Sequence, residues 1–176
     1  HAEMEKQNAV GLAIGVIRNG RIAYLQGYGF EDREEEIPVS PKTLFRWASC
    51  SKPVTAVAAM QLVQQRKLGL EDDVRKYVPE FPEQDSTITV RQLMCHQGGI
   101  VHYSNGKVVR TRAEYETRHP FEDVINALDR FKESPLVALP GERYSYTTHG
   151  FILLSAVVQR AGDEKFADQV AKRIVK

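Results

Sequence analysis

The 176-residue sequence predicts an α+β fold, and three observations carry that prediction: an Asn19-Gly20 pair between two apolar runs, a helical stretch opening near Ser51, and a mainly helical remainder. From Val10 to Ile17 the residues are almost continuously apolar, and Arg21-Ile22-Ala23-Tyr24-Leu25-Gln26 follows the Asn-Gly pair. The tightest hairpin turns need positive φ at both central residues, which Asn and Gly adopt most readily, so this pair predicts a two-stranded antiparallel ribbon. An apolar run without alternation predicts a strand covered on both faces, inside a larger sheet.

The acidic stretch Glu31 to Glu36 is expected to be a solvated connection. After Pro38-Val39-Ser40-Pro41, the spacing predicts a helix over 51–67. Pro53 falls in its first turn, where a missing N–H costs nothing; Val54, Val57, Ala58, Gln61 and Leu62 share one stripe; Gly69 supplies the stop. Further helices are expected at 90–95 behind the N-cap Thr89, at 121–131, at 151–160 ending by Gly162, and at 164–175. Turns are expected at Gly98-Gly99, Asn105-Gly106 and Pro140-Gly141. The division expected is residues 1–68, the hairpin and first long helix, and residues 69–176, a mostly helical lobe. Two strands alone do not make a stable sheet, and nothing after Leu25 supplies convincing partners. Either the ribbon packs on helices alone, or the other strands lie on polypeptide outside these residues.

Composition narrows the function classes. The chain has 24 Lys+Arg against 23 Asp+Glu, a formal net charge of +1, so no bulk electrostatic attraction points to nucleic acid or an anionic membrane as main partner. At 42% hydrophobic and 27% charged, with 12 Gly and 8 Pro, it fits neither a collagen-like, a low-complexity nor a disordered chain. Cys50 and Cys95 are too few for a disulfide scaffold and lack the paired spacing of a zinc site. No apolar run approaches the roughly 18 residues of a membrane span. His1-Ala2-Glu3-Met4-Glu5-Lys6 does not read as a signal peptide.

Two constellations can carry chemistry. Ser49-Cys50-Ser51-Lys52 sets a hydroxyl and an amine three residues apart at a helix start, on one face. A Ser hydroxyl attacks only when something accepts its proton, and a Lys does so only where its surroundings lower its pKa. The helix N-terminus favours developing oxyanion charge. The competing reading makes Ser49 an ordinary N-cap and Lys52 a solvated first-turn residue. Chance alone yields such a spacing about once in a chain of this length, and Ser104-Asn105-Gly106-Lys107 repeats it across an expected turn, where no catalytic geometry is held. The second constellation runs from Pro140 to Gly150 and offers a Tyr just before a buried helix, either as a proton relay or as a core or interface aromatic with a satisfied hydroxyl.

Three segments carry a family resemblance. Phe45-Arg46-Trp47-Ala48-Ser49-Cys50-Ser51-Lys52-Pro53-Val54-Thr55 resembles the nucleophile segment of the serine beta-lactamase and penicillin-binding-protein superfamily, in its class C and esterase-like branch. Leu93-Met94-Cys95-His96-Gln97-Gly98-Gly99-Ile100 is similar to that family's Leu-Leu-x-His-Thr-Ser-Gly-Leu segment, and Pro140-Gly141-x-x-Tyr144-x-Tyr146 to its Pro-Gly-x-x-Phe-x-Tyr-Ser-Asn segment. Order and separations agree from Val10 onward. Lys76 to Glu83, His96 to Tyr103 and Tyr146 to Gly150 resemble the mitochondrial beta-lactamase-like members of animals and their bacterial relatives.

The resemblance implies a beta-lactamase-like fold, an antiparallel sheet flanked by helices plus a helical lobe, here as an N-terminal portion. It implies a serine hydrolase that forms an acyl-enzyme on small ester, amide or peptide substrates, β-lactams included, with no cofactor, no metal and no separate deacylating Glu. Carried over by position, Ser49 is the nucleophile and its N–H half of an oxyanion hole. Lys52 is proton acceptor and relay, and Tyr146 shuttles the proton to the leaving group and later activates water. The resemblance also places the protein outside the bacterial cytoplasm or in the mitochondrion.

Two departures matter. Thr148 stands where many members have Asn and offers a substrate one hydroxyl instead of a carboxamide. The family's third motif, a Lys-Thr-Gly or His-x-Gly strand, does not follow the last helix before Lys176, so a complementary C-terminal segment is the expected partner, alongside a homo-oligomer. The rival expectation is a catalytically silent assembly or regulatory module. His96 is expected to be a structural hydrogen-bonder, His102, His119 and His149 show no metal-ligand spacing, and Cys50 is expected to be packed.

Overall fold

Asn19 and Gly20 take φ of 54° and 71°, so the hairpin turn forms as their chemistry dictates. The computed structural model describes residues 2–116 and 123–175, and the chain forms two units, His1–Trp47 and Ala48–Lys176.

In the first unit a short helix α1, Ala2–Lys6, which the sequence reading did not anticipate, precedes strands β1, Gly11–Arg18, β2, Arg21–Asp32, and β3, Ile37–Pro38. They form one antiparallel sheet in the order β1-β2-β3, with Arg18 opposite Arg21 and a bulge between Val16 and Ile17. β2 runs six residues beyond the expected Gln26 because its glycines are demanded by close backbone approach rather than by a turn. A Cβ on Gly29, at φ 68°, would lie 2.2 Å from the Val10 carbonyl oxygen. The acidic stretch is thus strand at Glu31 and Asp32 and turn over 33–36, closed where the Asp32 carboxylate accepts the amides of Glu34 and Glu35 at 2.9 and 3.0 Å.

The expected burial of β1 on both faces is not met: Leu12 is 40%, Ile14 38%, Val16 47% and Ile17 75% exposed. Three strands, one of them two residues long, supply no second layer for these side chains.

The second unit begins with a single 3-10 turn, Ala48–Cys50, and continues directly into α2, Ser51–Gln64. α2 ends before Gly69. Arg66 adopts φ 60°, its amide bonds the Val63 carbonyl and the Lys67 amide bonds the Leu62 carbonyl, a Schellman stop with Arg where Gly is usual. The buried stripe is also rotated from the expected one: Thr55, Ala58, Ala59 and Leu62 face the core while Val57 is 47% exposed.

α3, Val90–Met94, forms behind a complete capping box in which Thr89 and Gln92 each cap the other's backbone amide. α4, Arg112–Glu116, follows. Of the helix expected at 121–131, residues 121 and 122 lie outside the described residues, and Asn126–Arg130 is a 3-10 turn that buries Ala127 and Leu128. α5, Thr148–Gly162, starts three residues earlier than expected, because Thr147 caps it by accepting the Gly150 amide, and Asp163 at φ 51° ends it. α6, Phe166–Arg173, completes the unit. α2 and α3 both pack on α5, around a core in which Leu62, Leu93, Leu128, Phe131, Leu153 and Leu154 are fully buried. Burying each such side chain is worth about 1.5–3 kcal/mol. Among the described residues no helix is long and apolar enough to cross a membrane.

Candidate active site

Ser49 lies in the one-turn prelude to α2 and does not cap it. Cys50 occupies the cap position, at φ −64° and ψ −15°, and makes no side-chain cap bond. The residue before Ser49, Ala48, has φ 47°, a left-handed conformation that costs a residue with a Cβ about 1–2 kcal/mol. Backbone strain of this sort persists only where the surroundings fix it.

One turn further on, Lys52 turns its side chain back along the helix. Its Nζ donates to Ser49 Oγ at 3.2 Å and to Thr148 Oγ1 at 3.3 Å. The same ammonium stands 4.9 Å from the centre of the Tyr146 ring and 5.9 Å from that of Phe151, and no described carboxylate pairs with it. The Tyr146 hydroxyl lies 2.6 Å from Ser49 Oγ. Ser49, Lys52, Tyr146 and Thr148 are therefore one hydrogen-bonded group, supplied by the start of α2 and the start of α5.

The field at this group favours negative charge on the phenol. Tyr146 is held below the ordinary tyrosine value by hydrogen bonding from Lys52, then by its bond with Ser49, against a smaller opposing effect of burial. Two imidazoles nearby are biased toward the neutral form. Burial lowers His96 and His102 below the usual histidine value, and the Lys52 charge lowers both further. His96 is the structural hydrogen-bonder the sequence suggested: its Nδ1 accepts the Thr147 amide at 3.1 Å, and its ring packs on Tyr144, Tyr146 and Phe151. His102 does the same for the Thr148 amide at 3.1 Å, a contact that no local sequence signal announces.

Other expectations resolve differently. Cys50 is exposed rather than packed, as is Cys95. Ser104 and Lys107 sit on an exposed turn without site geometry. His119 lies outside the described residues, and among those described no three metal-ligating side chains converge. A cavity of about 540 Å³ opens beside Thr148, lined also by Tyr103, Arg110, Arg130 and His149.

The beta-lactamase family model matches residues 1–176. Among curated proteins, the chain is 29% identical over 234 residues to the human serine beta-lactamase-like protein LACTB, mitochondrial, an alignment covering 98% of this chain and 43% of that protein. Among solved structures it is similar to EstCE1, a hydrolase with promiscuous acyltransferase activity, with a TM-score of 0.80, 25% identity, and coverage of 99% of this chain and 48% of that one. An octameric penicillin-binding protein homologue from Pyrococcus abyssi gives a TM-score of 0.79 at 26% identity, over 99% of this chain and 40% of that one. The chain thus spans less than half the length of these relatives.

Proposed function

Because the chain belongs to the beta-lactamase family, we propose that it carries the nucleophile half of a serine hydrolase that works through an acyl-enzyme. The single observation that supports this reading most is the 2.6 Å contact between Ser49 Oγ and the Tyr146 phenol, with Lys52 Nζ beside both. In the first step Ser49 Oγ attacks the substrate carbonyl carbon and its proton passes to Tyr146 as phenolate. The tetrahedral oxyanion collapses, the leaving group departs with the proton from Tyr146, and the acyl group stays on Ser49. Water then attacks the ester carbon, again losing its proton to Tyr146, and Oγ recovers that proton as the acid leaves. Lys52 acts here by hydrogen bonding toward the phenol, which lowers the Tyr146 pKa and so favours the phenolate. This departs from the role that resemblance alone gives it, since Tyr146 is the nearer acceptor and the one whose proton is loosened.

Small esters are the proposed substrate class. The Thr148 hydroxyl already accepts from Lys52 and offers a substrate amide little in return. The exposed apolar faces of β1 and β2 support further strands of the whole protein as the sheet's cover, and with them the second oxyanion donor. Hydrolysis of p-nitrophenyl acyl esters by the full-length protein tests the reading. Ser49→Ala is expected to remove about 10³-fold or more of turnover, as nucleophile removal does elsewhere; equal turnover by the variant contradicts it.

One observation favours a second reading. A structural relative at TM-score 0.79 is octameric, which supports a fold used for assembly; in this second reading the chain serves assembly and has no turnover. That reading expects a large species on size-exclusion chromatography and no Ser49-dependent ester hydrolysis.

A further inference from the structure

Three histidines surround the segment that presents Tyr146, and their hydrogen bonds do not allow one common tautomer. The Thr147 and Thr148 amides are donors, so His96 Nδ1 and His102 Nδ1, each at 3.1 Å, must be bare and their protons must sit on Nε2. His149 Nδ1 meets the Val101 carbonyl at 2.9 Å; a carbonyl only accepts, so this Nδ1 must carry the proton. The Val101 carbonyl also accepts the Thr147 hydroxyl at 2.8 Å, and the His96 carbonyl accepts the Ser145 amide at 2.8 Å. Residues 145 and 147–149 are thus tied one after another to the stretch 96–102, and Tyr146 lies inside that run with its ring 4.5 Å from His96 and 5.6 Å from His102.

We propose that His96 and His102 are positioning residues that fix the Tyr146 phenol against Ser49 by accepting the two backbone amides that follow it, and that they do so only while neutral. The inference rests on the catalytic reading for its rate consequences, but the clamp itself is a property of the fold. A protonated imidazole has a donor at Nδ1, so it would present N–H to N–H and lose the bond. It would also place a second cation beside Lys52. The charged and titratable groups facing His96 are Lys52, His102, Tyr144 and Tyr146; those facing His102 are Lys52, Tyr103, Tyr146, His149 and His96. No described carboxylate is among the groups that shift either imidazole, so nothing there rewards protonation.

The choice of variants follows from shape. The Asn Oδ1 atom can occupy the place of Nδ1 and accept the same amide without titrating, whereas Phe fills the ring space and accepts nothing. In the full-length protein, His96→Phe is expected to lower kcat for ester hydrolysis by about 10²-fold, the scale of a 1 Å misplacement, with KM little changed. His96→Asn is expected to recover most of that loss. In the His96→Asn, His102→Asn double variant the fall in rate on the acid side is expected to be less steep, because protonation of the two imidazoles no longer adds to that of Tyr146. Equal rates for the Phe and Asn variants, or an acid-side fall of unchanged steepness, overturn the proposal.

A second measurement holds whether or not the variants fold and whether or not the protein turns over esters. ¹⁵N imidazole shifts of the unaltered protein at pH 7 are expected to show His96 and His102 as Nε2–H tautomers and His149 as the Nδ1–H tautomer. A proton on Nδ1 of His96 or His102 overturns the clamp. Absence of Ser49-dependent turnover together with the expected tautomers removes the hydrolase reading and leaves the clamp standing.

Discussion

The Tyr146 hydroxyl lies 2.6 Å from Ser49 Oγ although 97 residues separate the two in sequence. Helix packing makes the meeting: Ser49 lies just before α2 and Lys52 in its first turn, Tyr146 lies just before α5 and Thr148 opens it, and α2 packs on α5 with Ala58 and Ala59 on its buried face. The site is therefore a property of two helix starts held by one core.

Tyr146→Phe keeps the ring but removes the hydroxyl proposed as proton acceptor. The expected result is a fall in kcat of about 10²- to 10⁴-fold with KM nearly unchanged, read by steady-state ester hydrolysis. An unchanged kcat contradicts Tyr146 as the base.

Lys52→Met tests the electrostatics. Lys52 lowers Tyr146, so its loss raises the phenol toward its ordinary value and shifts the limb of the pH–rate profile assigned to the phenolate to higher pH. Lys52 also lowers His96 and His102, so the loss of rate caused by their protonation is expected to begin at higher pH too. A profile not displaced to higher pH contradicts the role given to Lys52.

His96 and His102 also link stability to pH. Their folded-state values lie below the ordinary histidine value, so the unfolded chain binds more protons in that window. Stability is expected to be full above about pH 6.5 and to fall as pH drops below it. Denaturant midpoints at pH 7.5 and 5.5, compared between the unaltered protein and the His96→Asn, His102→Asn double variant, measure the effect. A smaller drop in the variant is expected.

Ala48→Gly relieves a left-handed φ of 47°. The expected gain is about 0.5–1 kcal/mol in stability, with slower acylation because the residue before Ser49 is no longer confined. Thermal unfolding and probe-labelling rates on one sample check both parts.

Gln169, 1% exposed, donates its amide to the Val158 and Glu164 carbonyls at 3.0 and 2.7 Å. Gln169→Leu leaves buried acceptors without a partner and is expected to cost about 1–3 kcal/mol by denaturant unfolding.

Signals confined to one or two turns of chain were legible. Asn19-Gly20 and the Thr89 capping box formed as their local chemistry requires, and the start of α5 shifted only because Thr147 outcompeted the later positions as cap. Ser49, Lys52 and Tyr146 were nameable through residue types and a family resemblance, and the structure brings them together. What depends on three-dimensional packing was not legible. The buried face of α2 is set by where α5 lies, so Val57 turned outward against the apolar pattern. The acceptor role of His102 depends on an amide 46 positions away, and no periodicity encodes it. β2 continues past the expected Gln26 through Gly27 and Gly29, whose close backbone contacts are set by three-dimensional packing.

The most direct test is covalent labelling. The full-length protein treated with a fluorophosphonate probe and digested for peptide mass mapping is expected to carry one adduct, on Ser49, lost in Ser49→Ala and slowed in Tyr146→Phe. An adduct that survives Ser49→Ala, or a folded protein that never reacts, contradicts the claim that this hydroxyl is the nucleophile.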